Sequence, residues 1–310
     1  MGVQDIVTKD YMKNEQRFAD AFNYYLFQGN QIVQAEKLKE ADPVEFGIIL
    51  DGQDNEAVQK IRDVLKNALF LTDETCNYLL LGIENQSEIH MAMPVKNLIF
   101  DGLRYGEQVS RRSKERRALK LAKDSAEFLS GFGKEDKIKP VITLVIYWKP
   151  GPGDGPRCLY DMFDKVDDRI KEYINDYKLH VIVPDEVIDF GKFETELGIA
   201  LEFIAESQKK DRFSNIKLNE RFSAVSNETV NLLNVCTGSK FKLNDKEEVV
   251  NVNKGIEDFM NSARQEGRDM ELINAIEHIA EKVGGIQEAC ELYGTTTEYY
   301  WDVKNNMTIQ

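Results

Sequence analysis

The sequence predicts an α/β core followed by a helical extension. Three observations carry that reading. Near-continuous apolar runs at Tyr78–Ile83, Val141–Trp148 and Leu179–Pro184 have strand length. Amphipathic stretches precede the first run and separate it from the second. From Phe190 onward the apolar positions recur mostly at helical spacing. A soft boundary near residue 188 gives a core over 1–188 and a helical region over 189–310.

The 310 residues, 42% of them apolar, suffice for one large core or two modest ones. With 40 Lys and Arg against 54 Asp and Glu, the formal net charge is −14, which excludes a basic, histone-like protein. Local patches can still oppose that sign. No apolar run nears the roughly 18 residues of a membrane span, so no membrane association is expected. The opening MGVQDIVTKD has no apolar signal-peptide core, and Ile6 stands where a myristoylation signal needs Ser or Thr. Cys76, Cys158, Cys236 and Cys290 form no CxxC pair, so reduced, mostly buried thiols in a cytoplasmic protein are expected.

Taken in order, EQRFADAFNYYLFQ (15–28) places Phe18, Phe22, Tyr25 and Leu26 on one helical face and stops near Gly29-Asn30. A connection follows, marked by Asp42-Pro43 and Asp51-Gly52. DVLKNALF (63–70) and YLLLGIENQ (78–86) then flank the polar TDET, which predicts a hairpin. Pro94 opens a helix with Val95, Leu98, Ile99, Leu103 and Tyr105 as apolar positions. The strand VITLVIYW (141–148), the turn-rich KPGPGDGP (149–156) and the strand LHVIVP (179–184) complete the core. Segments 193–210, 228–236, 254–266 and 270–282 read as helices. GGIQEACELYGTTTEYYW (284–301) has a faint helix-turn-helix look, but its sparse basic residues favour packing, on the core or another subunit, over DNA reading.

The chemistry concentrates in the hairpin. On a strand Glu84 and Gln86 share a face and Asn85 points oppositely. If the loop is centred between Asp73 and Glu74, paired positions sum to 147 and Asp63 lies across from Glu84, with Cβ atoms about 5 Å apart. Two carboxylates so placed repel each other and invite a cation. Hard oxygen ligands suit Mg2+ or Mn2+. A Lys or Arg partner for Glu84, in a structural salt bridge, is the plainer alternative.

An Asp followed by a strand bearing Glu-x-Gln and then a helix resembles the PD-(D/E)XK nuclease superfamily. More narrowly, LLLGIENQSEIHMAMPVKN, followed by PVITLVIYW and preceded by NEQRFADAFNYYLF, resembles the Rpn-type recombination-promoting nucleases, also described as PD-(D/E)XK nuclease family transposases. The resemblance spans about residues 1–250 and implies a restriction-endonuclease-like core, a mixed central sheet flanked by helices. It implies Asp63 and Glu84 as metal ligands, Gln86 in the lysine position, and Mg2+-dependent cleavage of DNA by a metal-activated water with little sequence specificity. Two departures stand out: Gln86 replaces the usual lysine and Arg62 the usual proline. The alternative from another class is a catalytically silent nuclease fold that binds nucleic acid or protein in a mobile element. Nucleases of this sort often work as dimers, so a homodimer is expected.

Residues 91–150 hold 13 Lys and Arg against 7 Asp and Glu, net +6. Arg111, Arg112, Lys114, Arg116, Arg117 and Lys120 crowd ten positions and could track a nucleic-acid backbone near the site, with Lys96 a phosphate contact. A solvated basic helix end is the plainer reading. Asp20 or Asn23 could supply an accessory contact, and His90 a ligand or proton shuttle, if not simply structural.

Overall fold

The computed structural model describes residues 2–40, 44–51, 54–61, 64–72, 75–209, 213, 215–243 and 248–308. Side-chain surroundings are described for these residues except 40, 44–51, 54–61, 67–72, 75–80, 259–260, 262–264, 266–267 and 306–308. The chain forms two compact units. The first holds Met1–Asn215 and Val225–Val250, the second Ile216–Ala224 and Asn251–Gln310.

The first unit begins with helices α1 (Val3–Lys13) and α2 (Glu15–Phe27). Asn14 separates them, and its side chain accepts from the N–H groups of Gln16 and Arg17, capping α2. Of the predicted face, Phe18 and Phe22 are fully buried and Tyr25 and Leu26 partly so. Helix α2 ends where Gln28 turns left-handed at φ 57°. Gly29 follows at φ 94°, where a Cβ would sit 3.0 Å from both Cβ and O of Lys192.

A short strand β1 (Lys39–Glu40) comes next, then β2 (Val44–Asp51) and β3 (Asp54–Ile61), which pair antiparallel from Val44↔Ile61 to Asp51↔Asp54. The sequence reading treated this stretch as a connection. Asp51-Gly52, taken as a breaker, is also a hairpin-turn dipeptide, and the polar β3 shows little apolar alternation.

Strands β4 (Val64–Thr72) and β5 (Thr75–Gln86) pair from Val64↔Ile83 to Thr72↔Thr75, the predicted register with sums of 147. Helix α3 (Met93–Ala118) opens with Pro94 in its first turn. Helix α4 (Ser125–Ser130), strand β6 (Val141–Tyr147), the single turn α5 (Asp168–Lys171) and strand β7 (His180–Ile182) follow. The five strands form one mixed sheet in the order β1-β4-β5-β6-β7. β1/β4 and β4/β5 are antiparallel; β5/β6 and β6/β7 are parallel. A parallel neighbour demands a crossover, and α3 supplies it between β5 and β6. Its side chains reach Glu84 and Thr143 on one face of the sheet. On the other face Lys66 of β4 lies over Phe18 of α2, and Trp148 packs edge-on against Tyr11 of α1. The fold is therefore mixed α/β with helices on both faces of the sheet.

Helix α6 (Glu196–Glu206), strand β8 (Val225–Ser226), helix α7 (Asn227–Thr237) and strand β9 (Val249–Val250) also belong to this first unit. The boundary drawn near residue 188 therefore does not coincide with the division between units. Helix α6 is apolar nearly all round, with nine of its eleven residues buried, which is a core helix rather than an appended one. Asp20 fastens it: its carboxylate accepts from the N–H of Glu194 at 3.0 Å, and from the N–H and hydroxyl of Thr195 at 2.8 and 2.6 Å.

The second unit contains α8 (Val252–Val283), α9 (Ile286–Tyr293) and α10 (Thr297–Thr308). The two helices read at 254–266 and 270–282 are one helix; Gly267 does not break it. Ile273, Ile276, Ala289, Cys290, Tyr300 and Val303 make its core, so the helix-turn-helix-like segment packs on α8.

Removing the Asp20 carboxylate by Asp20→Ala leaves buried N–H donors without their acceptor, and should cost about 2–3 kcal/mol. The check is a lower urea midpoint at unchanged m, with a smaller loss for Asp20→Asn. Burial pushes the Cys236 thiol up to about 12. The native state holds that proton more tightly than the unfolded chain, so this contribution to stability is intact below pH 9 and is lost as pH rises toward 12. Iodoacetamide at pH 8 should therefore alkylate Cys236 far more slowly in the native protein than in urea.

Candidate functional site

The carboxyl end of β5 carries the site. Glu84 is 1% exposed and pairs in register with Val145 of β6, so it lies deep in the sheet rather than at an edge. A buried carboxylate needs an opposite charge or strong hydrogen bonds. Lys96, in the first turn of α3, places its Nζ 2.8 Å from Glu84 Oε2. Lys96 was singled out as a phosphate contact; in the structure its ammonium is the partner of Glu84.

The register of this strand end is fixed from its opposite face. Asn85 accepts from Trp148 Nε1 at 2.8 Å, the Trp148 N–H donates to the Gln86 carbonyl at 2.9 Å, and Gln4 Nε2 donates to the Trp148 carbonyl at 3.0 Å. Trp148 is fully buried, so it joins β5, β6 and α1 at one point. Gln86 shares the face of Glu84, and its own amide donates to the Asn85 carbonyl at 2.9 Å.

Farther along α3, Asp101 is buried against the sheet. It accepts from Thr143 Oγ1 at 2.6 Å and from the Tyr177 hydroxyl at 2.7 Å. Asp101 is a polar position of α3 that its apolar periodicity does not single out. Its signal was available: Asn97, Asp101, Arg104 and Gln108 recur at helical spacing, and all four are buried. The face of α3 turned to the sheet is therefore polar, which the search for an apolar stripe passed over.

Asp63, the predicted partner of Glu84, lies outside the described residues. The described ladder ends at Val64↔Ile83, one pair short of it. Among the described residues no three His, Cys, Asp or Glu side chains gather to hold a metal ion. The donors that do share the face, the Glu84 carboxylate and the Gln86 amide, are hard oxygens of the kind Mg2+ or Mn2+ takes. Two other candidates are corrected. Asp20 caps α6 as described above. Asn23 is spent on the backbone of Ile32 and Val33. Both side chains serve α2 and its neighbours. His90 is exposed, its Nδ1 accepting from the Ala92 N–H at 3.2 Å.

The basic cluster divides in two. Arg116 is buried, with contacts to Glu127 at 2.5 Å, Asp136 at 3.2 Å and the Leu121 carbonyl at 3.1 Å. Gly133 lies against its guanidinium so closely that a Cβ there would come within 2.6 Å. Arg112 holds Asp136 at 2.7 Å and Glu115 at 3.2 Å. The Gly133 N–H, and after it the Arg112 guanidinium, keep the Asp136 carboxyl below the usual carboxylate range. These two arginines bind the 121–136 segment to α3, which removes Arg116 and weakens Arg112 as nucleic-acid contacts. Arg111, Lys114, Arg117 and Lys120 are exposed and make no ion pair among the described residues. Arg111 is fifteen positions beyond Lys96 on the same helix, about 22 Å away at 1.5 Å per residue. The cluster therefore stands at the far end of α3 from Glu84, not beside it.

No protein-family model matches the chain, and neither a curated protein nor a solved structure is similar to it.

Lys96→Met takes the ammonium from a buried carboxylate and should destabilise by about 2–3 kcal/mol in urea unfolding, while Lys96→Arg recovers most of the loss. Arg116→Gln should lower Tm by about 5 °C or more, whereas Arg111→Gln combined with Lys114→Gln should leave it nearly unchanged.

Proposed function

We propose that this chain is a metal-dependent DNA endonuclease of the recombination-promoting PD-(D/E)XK type, working with Mg2+ or Mn2+. Asp63 and Glu84 would hold the ion, with Gln86 beside it in the position usually given to lysine. The observation that carries the reading is Glu84: a carboxylate buried at the end of β5, on the face of Gln86, with an ammonium 2.8 Å away. The topology supports the same reading, because an antiparallel β4-β5 hairpin leads through α3 to a parallel β6. When bound, such an ion lowers the pKa of a water and stabilises charge on the attacked phosphorus. The chain's own groups would do the rest. Glu84 would fix the ligand position, Lys96 would offset the carboxylate charge, and Gln86 would orient a water or phosphate oxygen by its amide.

The second reading, a silent nuclease fold that binds nucleic acid or protein, is favoured by one observation. Lys96 pairs with Glu84 at 2.8 Å as a structural salt bridge would, and among the described residues no three His, Cys, Asp or Glu side chains gather to hold a metal ion.

Nicking of supercoiled plasmid should require Mg2+ and fall about 100-fold or more in Asp63→Ala and in Glu84→Gln. Unchanged nicking by both variants removes the assignment. Mn2+ at about 100 times its Kd should stabilise the native state by about 2.7 kcal/mol, seen as a rise in Tm that both variants abolish. No shift at millimolar Mn2+ favours the silent reading.

A further inference from the structure

The polar stripe of α3 tracks β6 turn by turn. The Gln108 amide exchanges hydrogen bonds with the backbone of Lys139, the Tyr105 hydroxyl accepts from the Val141 N–H, and the Asp101 carboxylate accepts from the Thr143 hydroxyl. Each turn back along the helix, about 6 Å, thus advances two residues on the strand, about 7 Å. The next turn sets Asn97 over Val145, which is the register partner of Glu84. Met93, one turn earlier again, lines a small cleft of about 40 Å3 with Gln86, Val145 and Tyr147, as the same progression requires. Asn97 therefore stands on the face of the sheet that carries Glu84, over the adjacent strand, about 5 Å across. Lys96, its neighbour in the chain, is the residue that holds Glu84.

Asn97 is 0% exposed, yet neither its Oδ1 nor its Nδ2 has a hydrogen-bond partner among the described residues. Its companions on the stripe are engaged: Asp101 with Thr143 and Tyr177, Arg104 with Glu107, Gln108 with Lys139. An amide shut away from water with its acceptor and donors idle destabilises the fold, and an apolar side chain of that size would not. A hard cation removes the penalty. Mg2+ and Mn2+ accept an amide oxygen beside carboxylates, and a neutral ligand adds no further negative charge to the site. We propose that Asn97 is a further ligand of the divalent ion, its Oδ1 joining the carboxylates of Asp63 and Glu84; the proposal rests on the metal-dependent reading above. With Oδ1 on the ion, Nδ2 remains free to donate to a water of the ion's shell or to a carboxylate oxygen. Access is at hand. The Lys96 side chain is 31% exposed beside Glu84, and the cleft at Met93 lies one turn outward with room for a water.

The test measures metal binding apart from cleavage. Full-length protein is titrated with Mn2+, and the free ion is counted by electron paramagnetic resonance. Asn97→Leu, close to Asn in volume, should weaken binding about tenfold or more. Its metal-free Tm should hold or rise, because an unpaired buried amide has been removed. Asn97→Asp, which keeps the oxygen, should bind at least as tightly as the wild type. Asn97→Ala repeats the measurement with a smaller side chain should the leucine variant not fold. Equal affinity in the wild type and Asn97→Leu, with binding lost in Glu84→Gln, overturns the ligand role and leaves the metal reading standing; a buried water would then satisfy the amide. Weakening in Asn97→Asp as great as in Asn97→Leu also overturns it. No binding by the wild type at millimolar Mn2+ overturns both the ligand role and the metal reading. Plasmid nicking is scored separately. Mn2+ binding that depends on Asn97 and Glu84, in a protein that never nicks, keeps the ligand and discards hydrolysis.

Discussion

A buried carboxylate at the end of a central strand constrains everything around it. Glu84 is 1% exposed, so some element must bring a positive charge to it. The helix that leaves the same strand does so within its first turn, through Lys96. That requirement fixes where α3 begins and which way it turns its polar stripe. Asn97, Asp101, Arg104 and Gln108 follow Lys96 down the helix against the sheet. The opposite face meets a matching demand: Asn85 must be satisfied there, and Trp148 satisfies it while clasping β6 and α1 to the same strand end. Two polar residues of one strand, pointing opposite ways, thus anchor helices on both sides of the sheet.

What the sequence made legible was local. The hairpin register followed from a polar TDET between two apolar runs, because a period of two leaves no freedom once the turn is placed. The end of α2 near Gly29 and the start of α3 at Pro94 were equally local. Contacts between distant segments were not legible. Asp20 caps a helix more than 170 positions away, and nothing in its neighbourhood announces that. Arg116 resembles its exposed neighbours in sequence, yet it is buried by a glycine and two acids that arrive later in the chain. Charge clustering in a sequence counts residues, while the fold decides which charges remain available. The candidate site was half legible: Glu84 and Gln86 share their face as the alternation requires, whereas Asp101 was hidden by the habit of seeking apolar stripes.

The separation of the basic cluster from Glu84 changes what the cluster can do. Charges about 22 Å from the site act weakly on it at physiological ionic strength, where the screening length is about 8 Å. They cannot tune its chemistry; under the proposed reading the exposed cations there would serve a long polyanion along α3. On a chain of net charge −14 any attraction of those cations for a polyanion acts against a repulsive background.

Charge balance also explains how a lysine-bound glutamate can serve a metal-dependent site. Under the proposed reading the two carboxylates of Asp63 and Glu84 contribute −2, and the ammonium of Lys96 restores +1. A divalent ion then brings the site to +1, the complement of a single phosphodiester charge. A lysine at position 86 would add a further positive charge on the same strand face; the neutral amide of Gln86 avoids that excess while keeping both a donor and an acceptor. Under that reading the Lys96 pair and a bound ion would share Glu84. The pair with Lys96 at Oε2 fixes the orientation of the Glu84 carboxylate at the end of β5.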